Sequence, residues 1–136
     1  MKFIFLSIFL FSTATCFSQL HVSVENLKKD SGTVLIAIYN SKKSFNNIRE
    51  VFLAGRVKAK DLKADFTFND IPAGEYAISL FHDVNDNEKL DKTSVGIPSE
   101  PYGFSNNAKG SLGPPSFKKA KFTYDGNSLD VAIKLY

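Results

Sequence analysis

The chain of 136 residues has one cysteine, Cys16, and two histidines, His21 and His82. Cys16 lies in a short N-terminal segment that reads as removable. The mature chain then holds neither a disulfide nor a thiol nucleophile, and its stability rests on its core. Two histidines leave little for imidazole catalysis or zinc ligation. No Gly-x-Ser-x-Gly elbow, His-Glu-x-x-His helix or phosphate loop occurs. An excess of one charge is also lacking: 17 basic residues stand against 14 acidic ones. That balance is too even to argue for a nucleic-acid partner. No apolar run approaches the roughly 20 residues of a spanning helix, so no membrane span is expected after signal cleavage.

The chain does have the order of a secretory signal peptide. Lys2 supplies a minimal positive start, Phe3 to Phe11 is apolar apart from Ser7, and small or polar residues follow from Ser12 to Ser18. Small residues at Cys16 and Ser18 place cleavage before Gln19. The expected organisation is therefore residues 1–18 as signal peptide and 19–136 as one domain, exported to the periplasm or the extracellular space. Thr13-Ala14-Thr15 ahead of Cys16 is a poor lipobox, which argues against lipid attachment. A mature chain of about 118 residues is long enough for one domain that buries roughly two-thirds of its extended surface.

From Leu20 onward the dominant period is two. Leu20, Val22 and Val24 alternate with His21, Ser23 and Glu25, and Thr33 to Tyr39 is dense enough for a central strand. Further strands are expected at Val57–Lys60, Ala64–Asn69, Glu75–Phe81, Lys121–Tyr124 and Ser128–Tyr136. Asp125-Gly126-Asn127 reads as a hairpin turn between the last two. Phe45–Leu53 has room for one or two helical turns. About seven short strands with tight turns and no long helix define an all-β fold, a single antiparallel β-sandwich of immunoglobulin-like or transthyretin-like type. Its expected core is Val22, Val34, Ile36, Ile38, Phe66, Phe68, Tyr76, Ile78, Leu80, Phe122, Val131 and Ile133.

Residues 84–116 break this rhythm. They are rich in Asn, Asp, Gly, Pro and Ser, and so long a connection is usually functional or internally braced. At its start Asp83, Asn85, Asn87 and Asp91 bear oxygen at offsets 0, 2, 4 and 8. Alternating oxygens in a tight loop can converge on calcium, with the Lys89 carbonyl as a further ligand. Glu88 stands where a helix–loop–helix calcium hand has its turn glycine, and Ser94 where it has its bidentate acid. The competing reading is a set of Asx-turns that satisfies its own backbone. Further on, Tyr102 and Phe104 are candidates to face a sugar or peptide, or else to cap the sandwich.

Phe66 to Tyr76, with Pro72 and Gly74 at its bend, resembles the strand–turn–strand element of transthyretin-like sandwiches, with the aromatic rings packing across a hairpin. A longer series of words is more specific. Pro72-x-Gly74-x-Tyr76-Ala77 is followed by His82-Asp83-x-Asn85-x-Asn87 and Leu90-Asp91. Then come Gly96-Ile97-Pro98-x-Glu100, Tyr102-Gly103-Phe104-Ser105-Asn106-Asn107 and Gly113-Pro114-Pro115-Ser116-Phe117-x-x-Ala120. Together they resemble the bacterial family called domain of unknown function 2141, whose members often read Asn-Gly where this chain has Asn87-Glu88. The resemblance implies an exported sandwich domain and carries no activity with it. The functional expectation is a non-catalytic module of the envelope or extracellular space, with calcium as its one implied ion and an envelope protein, glycan or peptide as its partner. The alternative is a carbohydrate- or peptide-binding module using Tyr102 and Phe104.

Overall fold

A computed structural model of the protein describes residues 18–136. The assignment of a signal peptide therefore lies outside the described residues, except for Ser18. From there the chain forms β1 (Gln19–Glu25), β2 (Thr33–Tyr39), β3 (Leu53–Lys58), β4 (Ala64–Asn69), β5 (Gly74–Asp83), β6 (Tyr102–Phe104), a single helical turn α1 (Phe117–Ala120), β7 (Phe122–Tyr124) and β8 (Leu129–Lys134). Short 3₁₀ turns occupy Ile48–Glu50 and Ser105–Asn107, the first of them in the Phe45–Leu53 stretch that had room for it. Among the described residues no helix is long and apolar enough to cross a membrane.

The strands make two sheets, a β-sandwich. One has the order β4-β1-β8; the other has the order β3-β2-β5-β6, with β7 also paired to β5. The facing sides hold the main core. Alternation in β1 buries Leu20, Val22 and Val24, and alternation in β5 buries Tyr76, Ile78 and Leu80. Val34, Ile36 and Ile38 of β2 and Ile133 of β8 complete the centre. Of the expected core, Phe66, Phe122 and Val131 are half-buried at its margin, while Tyr124 and Leu135 belong to the fully buried set.

Four features depart from the sequence reading. There are eight strands among the described residues, the eighth being β6 inside the long connection. Three residues with Gly103 in the middle carry no alternating signal. Gly103 is needed because a Cβ there would sit 2.8 Å from the Lys134 carbonyl oxygen. Second, the sandwich is not wholly antiparallel, since β8 runs parallel to β1 with Val22 opposite Val131. Third, the strand expected at Val57–Lys60 begins earlier, at Leu53, where it pairs with Ile38. Fourth, two expected hairpins are crossings between sheets. β4 pairs with β1 and β5 with β2; β7 pairs with β5 and β8 with β1. The Pro72–Gly74 bend and the Asp125–Asn127 turn reverse the chain as expected but deliver it to the opposite layer.

A second, smaller cluster lies where Ala77 of β5 meets the long connection. Phe104, Ala108 and Ala120 are buried with Ala77, and Phe45, Tyr102 and Phe117 pack against them. Phe45 is its hub, with ring centroids 5.5 Å from Tyr39, 5.8 Å from Phe117 and 6.2 Å from Phe104. The long connection is thus folded back on the second sheet.

Candidate functional site

The polar loop starts where β5 ends. Asp83 is 1 % exposed. Gly32, with φ +80°, crosses directly over it: a Cβ on Gly32 would lie 2.3 Å from the Asp83 carbonyl oxygen. Trapped there, the Asp83 carboxylate turns into the loop it precedes. Its Oδ1 accepts the Asn87 N–H at 3.1 Å and its Oδ2 the Glu88 N–H at 2.7 Å. The loop curls tightly because Asp86 and Glu88 both take left-handed conformations, with φ of 56° and 62°. Glu88 does so without the glycine that this position favours.

The carbonyl oxygens of the two asparagines hold the backbone within the loop. Asn85 Oδ1 accepts from Asn87 N at 3.3 Å, and Asn87 Oδ1 from Lys89 N at 2.9 Å. Their carboxamide nitrogens both donate to Asp91: Asn85 at 2.7 Å, and Asn87 at 2.9 and 3.1 Å to the two carboxylate oxygens. Asp83, Asn85, Asn87 and Asp91 are therefore joined in one network. The Lys89 side chain is exposed, and its backbone contributes an N–H to that network.

Glu100 was not among the candidate residues, although it belongs to the Pro98-x-Glu100 word. It is 8 % exposed. Its Oε1 accepts from Val84 N at 2.9 Å and its Oε2 from Asp91 N at 3.1 Å, clamping the loop's first and last residues. Ser99 N donates to the Asp91 carbonyl at 2.8 Å and closes the ring. Only the word shared with the family could have pointed to Glu100, because its partners lie 16 and 9 residues away.

The other two acids turn outward. Asp86 accepts from Thr33 Oγ1 at 2.6 Å and from Lys58 Nζ at 2.8 Å, and Arg56 pairs with Glu88 at 2.9 Å. The hydrogen bond from Lys58, followed by that from Thr33, holds the Asp86 carboxyl below its ordinary range.

Chemically, the network offers carboxylates interleaved with carboxamides. Among the described residues no three Asp, Glu, His or Cys side chains gather into a ready-made metal cage. A cation here would need the asparagine oxygens as well, and each carbonyl oxygen already holding one N–H keeps a second lone pair. The two carboxamide N–H groups now stand beside Asp91 where positive charge would be favoured. A cavity of about 380 Å³ opens next to the network, lined by Lys28, Lys29, His82, Asn85, Asp91 and Glu100 among others.

His82 and Asp83 have separate partners. His82 Nε2 lies 2.6 Å from the Ser31 carbonyl oxygen, so Nε2 carries the proton, and Nδ1 is buried with no partner among the described residues. His21 faces outward on β1, 3.0 Å from Thr67 Oγ1 and 3.5 Å from Asp65.

The aromatic candidates sit in the second cluster. Phe104 is buried, and Tyr102 is half-buried with its ring edge-on to Tyr136 at 4.9 Å and to Phe104 at 6.0 Å. The Ser105-Asn106-Asn107 word beside them has a structural use. Ser105 is fully buried; its Oγ accepts from Ile78 N at 2.9 Å and donates to the Ala120 carbonyl at 2.5 Å. Asn106 donates to the carbonyls of Lys119 and Lys121, and Asn107 Oδ1 accepts from Lys134 N. Three consecutive residues thus stitch the connection to β5, α1 and β8.

Two stacked sheets with a long connection folded against one of them, and a self-bonded acidic–amide loop at its start, define the class: a β-sandwich domain with one elaborated polar loop. The profile of a family described as an uncharacterised protein conserved in bacteria (DUF2141) matches residues 22–132, and the chain belongs to that family. No match was found among curated proteins or among solved structures.

Proposed function

We propose that this chain is a non-catalytic, exported β-sandwich module of the cell envelope or extracellular space whose polar loop is braced by calcium. The observation that carries the reading is the gathering of Asn85 and Asn87 on the two oxygens of Asp91, at 2.7–3.1 Å, between the buried carboxylates of Asp83 and Glu100. Calcium takes six to eight hard oxygens in flexible geometry, and interleaved carboxylates and carboxamides supply that donor class. Calcium would be held by the carboxylates of Asp83 and Asp91 and by the carboxamide oxygens of Asn85 and Asn87, each of which keeps a second lone pair beside its backbone bond. The non-catalytic part rests on His82 and Asp83. Both Asp83 carboxylate oxygens accept backbone N–H groups and His82 Nε2 is held on the Ser31 carbonyl, which supports a structural use for the pair.

Few formal charges and the absent glycine make the binding weak, on the order of 10⁻⁴–10⁻³ M as in extracellular modules. At about a hundred times Kd, binding to the native state alone adds roughly 2.7 kcal/mol. The test is thermal melting in millimolar calcium against chelator, with calorimetric titration. The mature chain is expected to melt higher in calcium, magnesium to substitute poorly, and Asp91→Ala to abolish the difference. Identical melting with no calcium-specific heat would leave the loop as a brace complete in itself.

A further inference from the structure

Beyond the polar loop the chain builds a small closed tip. Lys92 and Pro98 form a bridge, Thr93 N donates to the Ile97 carbonyl at 2.8 Å, and Gly96 N donates to the Thr93 carbonyl at 2.9 Å. Thr93 Oγ1 accepts a further bond from Ile97 N at 3.3 Å. These bonds hold the tip in shape and leave its two large apolar side chains in water: Val95 is 77 % exposed and Ile97 61 %. Two β-branched side chains on a braced turn are thus mostly uncovered among the described residues.

The charges around this tip are unevenly committed. Every acid of the connection is engaged. Asp83 and Glu100 accept backbone N–H groups, Asp91 accepts carboxamides, Asp86 pairs with Lys58 and Glu88 with Arg56. Lys89 and Lys92 lie in the same connection. Lys28 and Lys29 line the cavity together with Asp91 and Ser99, the residues bonded to each other at the tip's base. All four lysines are exposed, and among the described residues none is in an ion pair. The uncommitted charge flanking the apolar tip is therefore positive.

We infer that this tip docks on an anionic lipid surface, with Val95 and Ile97 entering the headgroup layer and Lys28, Lys29, Lys89 and Lys92 facing its phosphates. Apolar side chains flanked by lysines are the combination that interfacial lipid binding uses. Charge complementarity selects lipid over a second copy of the chain, because a two-fold contact through the tip would set these lysines against one another. The inference goes beyond the calcium reading and does not need it, so it is tested in chelator.

The experiment is cosedimentation of the mature chain with vesicles of phosphatidylcholine alone and of phosphatidylcholine mixed with phosphatidylglycerol. Binding is expected to the mixed vesicles and to weaken as salt screens the lysines. Val95→Ser with Ile97→Ser is expected to lower the partition coefficient at least about tenfold, from the apolar area withdrawn from the lipid. Lys28→Glu with Lys29→Glu, which leaves the tip intact, is expected to lower it as well. Leu112→Ser, at another fully exposed apolar position, is the control expected to bind normally. Equal melting of the variants shows that they fold. Three results would overturn the inference: no preference for phosphatidylglycerol, unchanged binding by the Val95/Ile97 variant, or vesicle-independent self-association that this variant abolishes.

Discussion

Replacing Ser105 by alanine removes one oxygen from the interior and leaves two backbone groups without partners. The ladder between β5 and β6 runs from Phe81 opposite Tyr102 to Ser79 opposite Phe104 and then stops. At the next residue of β5 the Ser105 hydroxyl takes over, accepting from Ile78 N and donating to Ala120 O. Ser105 and Ala120 are both 0 % exposed, so water does not reach the gap. Each buried group stranded in this way costs about 1–3 kcal/mol. Alanine keeps the Cβ and opens almost no cavity, so the sum for the two groups is roughly 2–6 kcal/mol. Against a total stability of about 5–15 kcal/mol for a domain, that is a large fraction. It corresponds to a fall in Tm of roughly 10–20 °C. Urea titration followed by circular dichroism measures it, with an unchanged slope showing that the effect belongs to the native state. Asn106→Gly is the matched comparison. The Asn106 carboxamide also bonds two carbonyls, but it is exposed, water replaces it, and glycine suits its φ of 60°. That variant is expected to lose less than about 1 kcal/mol, the usual range for an exposed site. A Ser105→Ala change below about 0.5 kcal/mol would refute the idea that this hydroxyl completes the ladder.

The Asp86 carboxyl is held below its ordinary value of 3.8, first by Lys58 and then by Thr33. A depressed folded pKa stabilises the native state above the unfolded value, and that contribution is lost as pH falls through the folded one. The Tm gap between the wild type and Asp86→Asn is therefore expected to be constant near neutrality and to close in acid below the ordinary aspartate range. A gap that persists into strong acid would contradict the assignment. Ser18 tests the other end of the chain. Its Oγ donates to the Ile71 carbonyl at 3.0 Å and meets Tyr124 Oη at 2.6 Å, and its carbonyl accepts from Asp70 N. A chain beginning at Ser18 is expected to be about 1–2 kcal/mol more stable than one beginning at Gln19. Denaturation of the two chains measures this difference.

Much of the sandwich was legible along the chain. Alternation is a property of neighbouring residues, so Val22, Ile36, Ile78 and Ile133 were placed inside from spacing alone, and the structure buries all four. The turns were legible for the same reason. Asp125 Oδ1 does accept from Asn127 N, as an Asx-turn should. The polar loop was local too, since Asp83, Asn85, Asn87 and Asp91 span nine residues and bond within them.

What was not legible is which strand each turn delivers to which sheet. A turn specifies that the chain reverses and leaves its next neighbour open, so the crossings after β4 and β7 read as hairpins. The parallel pairing of β1 with β8 joins residues more than a hundred positions apart, and no local pattern encodes it. Glu100 and Ser105 were hidden similarly. Their side chains matter through backbone groups of Val84, Asp91, Ile78 and Ala120, and a backbone N–H or carbonyl has no identity in a sequence. Periodicity decides which way a side chain points, because that depends on adjacent residues. Partnership between distant backbone groups is decided only when two sheets close on a common core and bring every unpaired donor and acceptor to account.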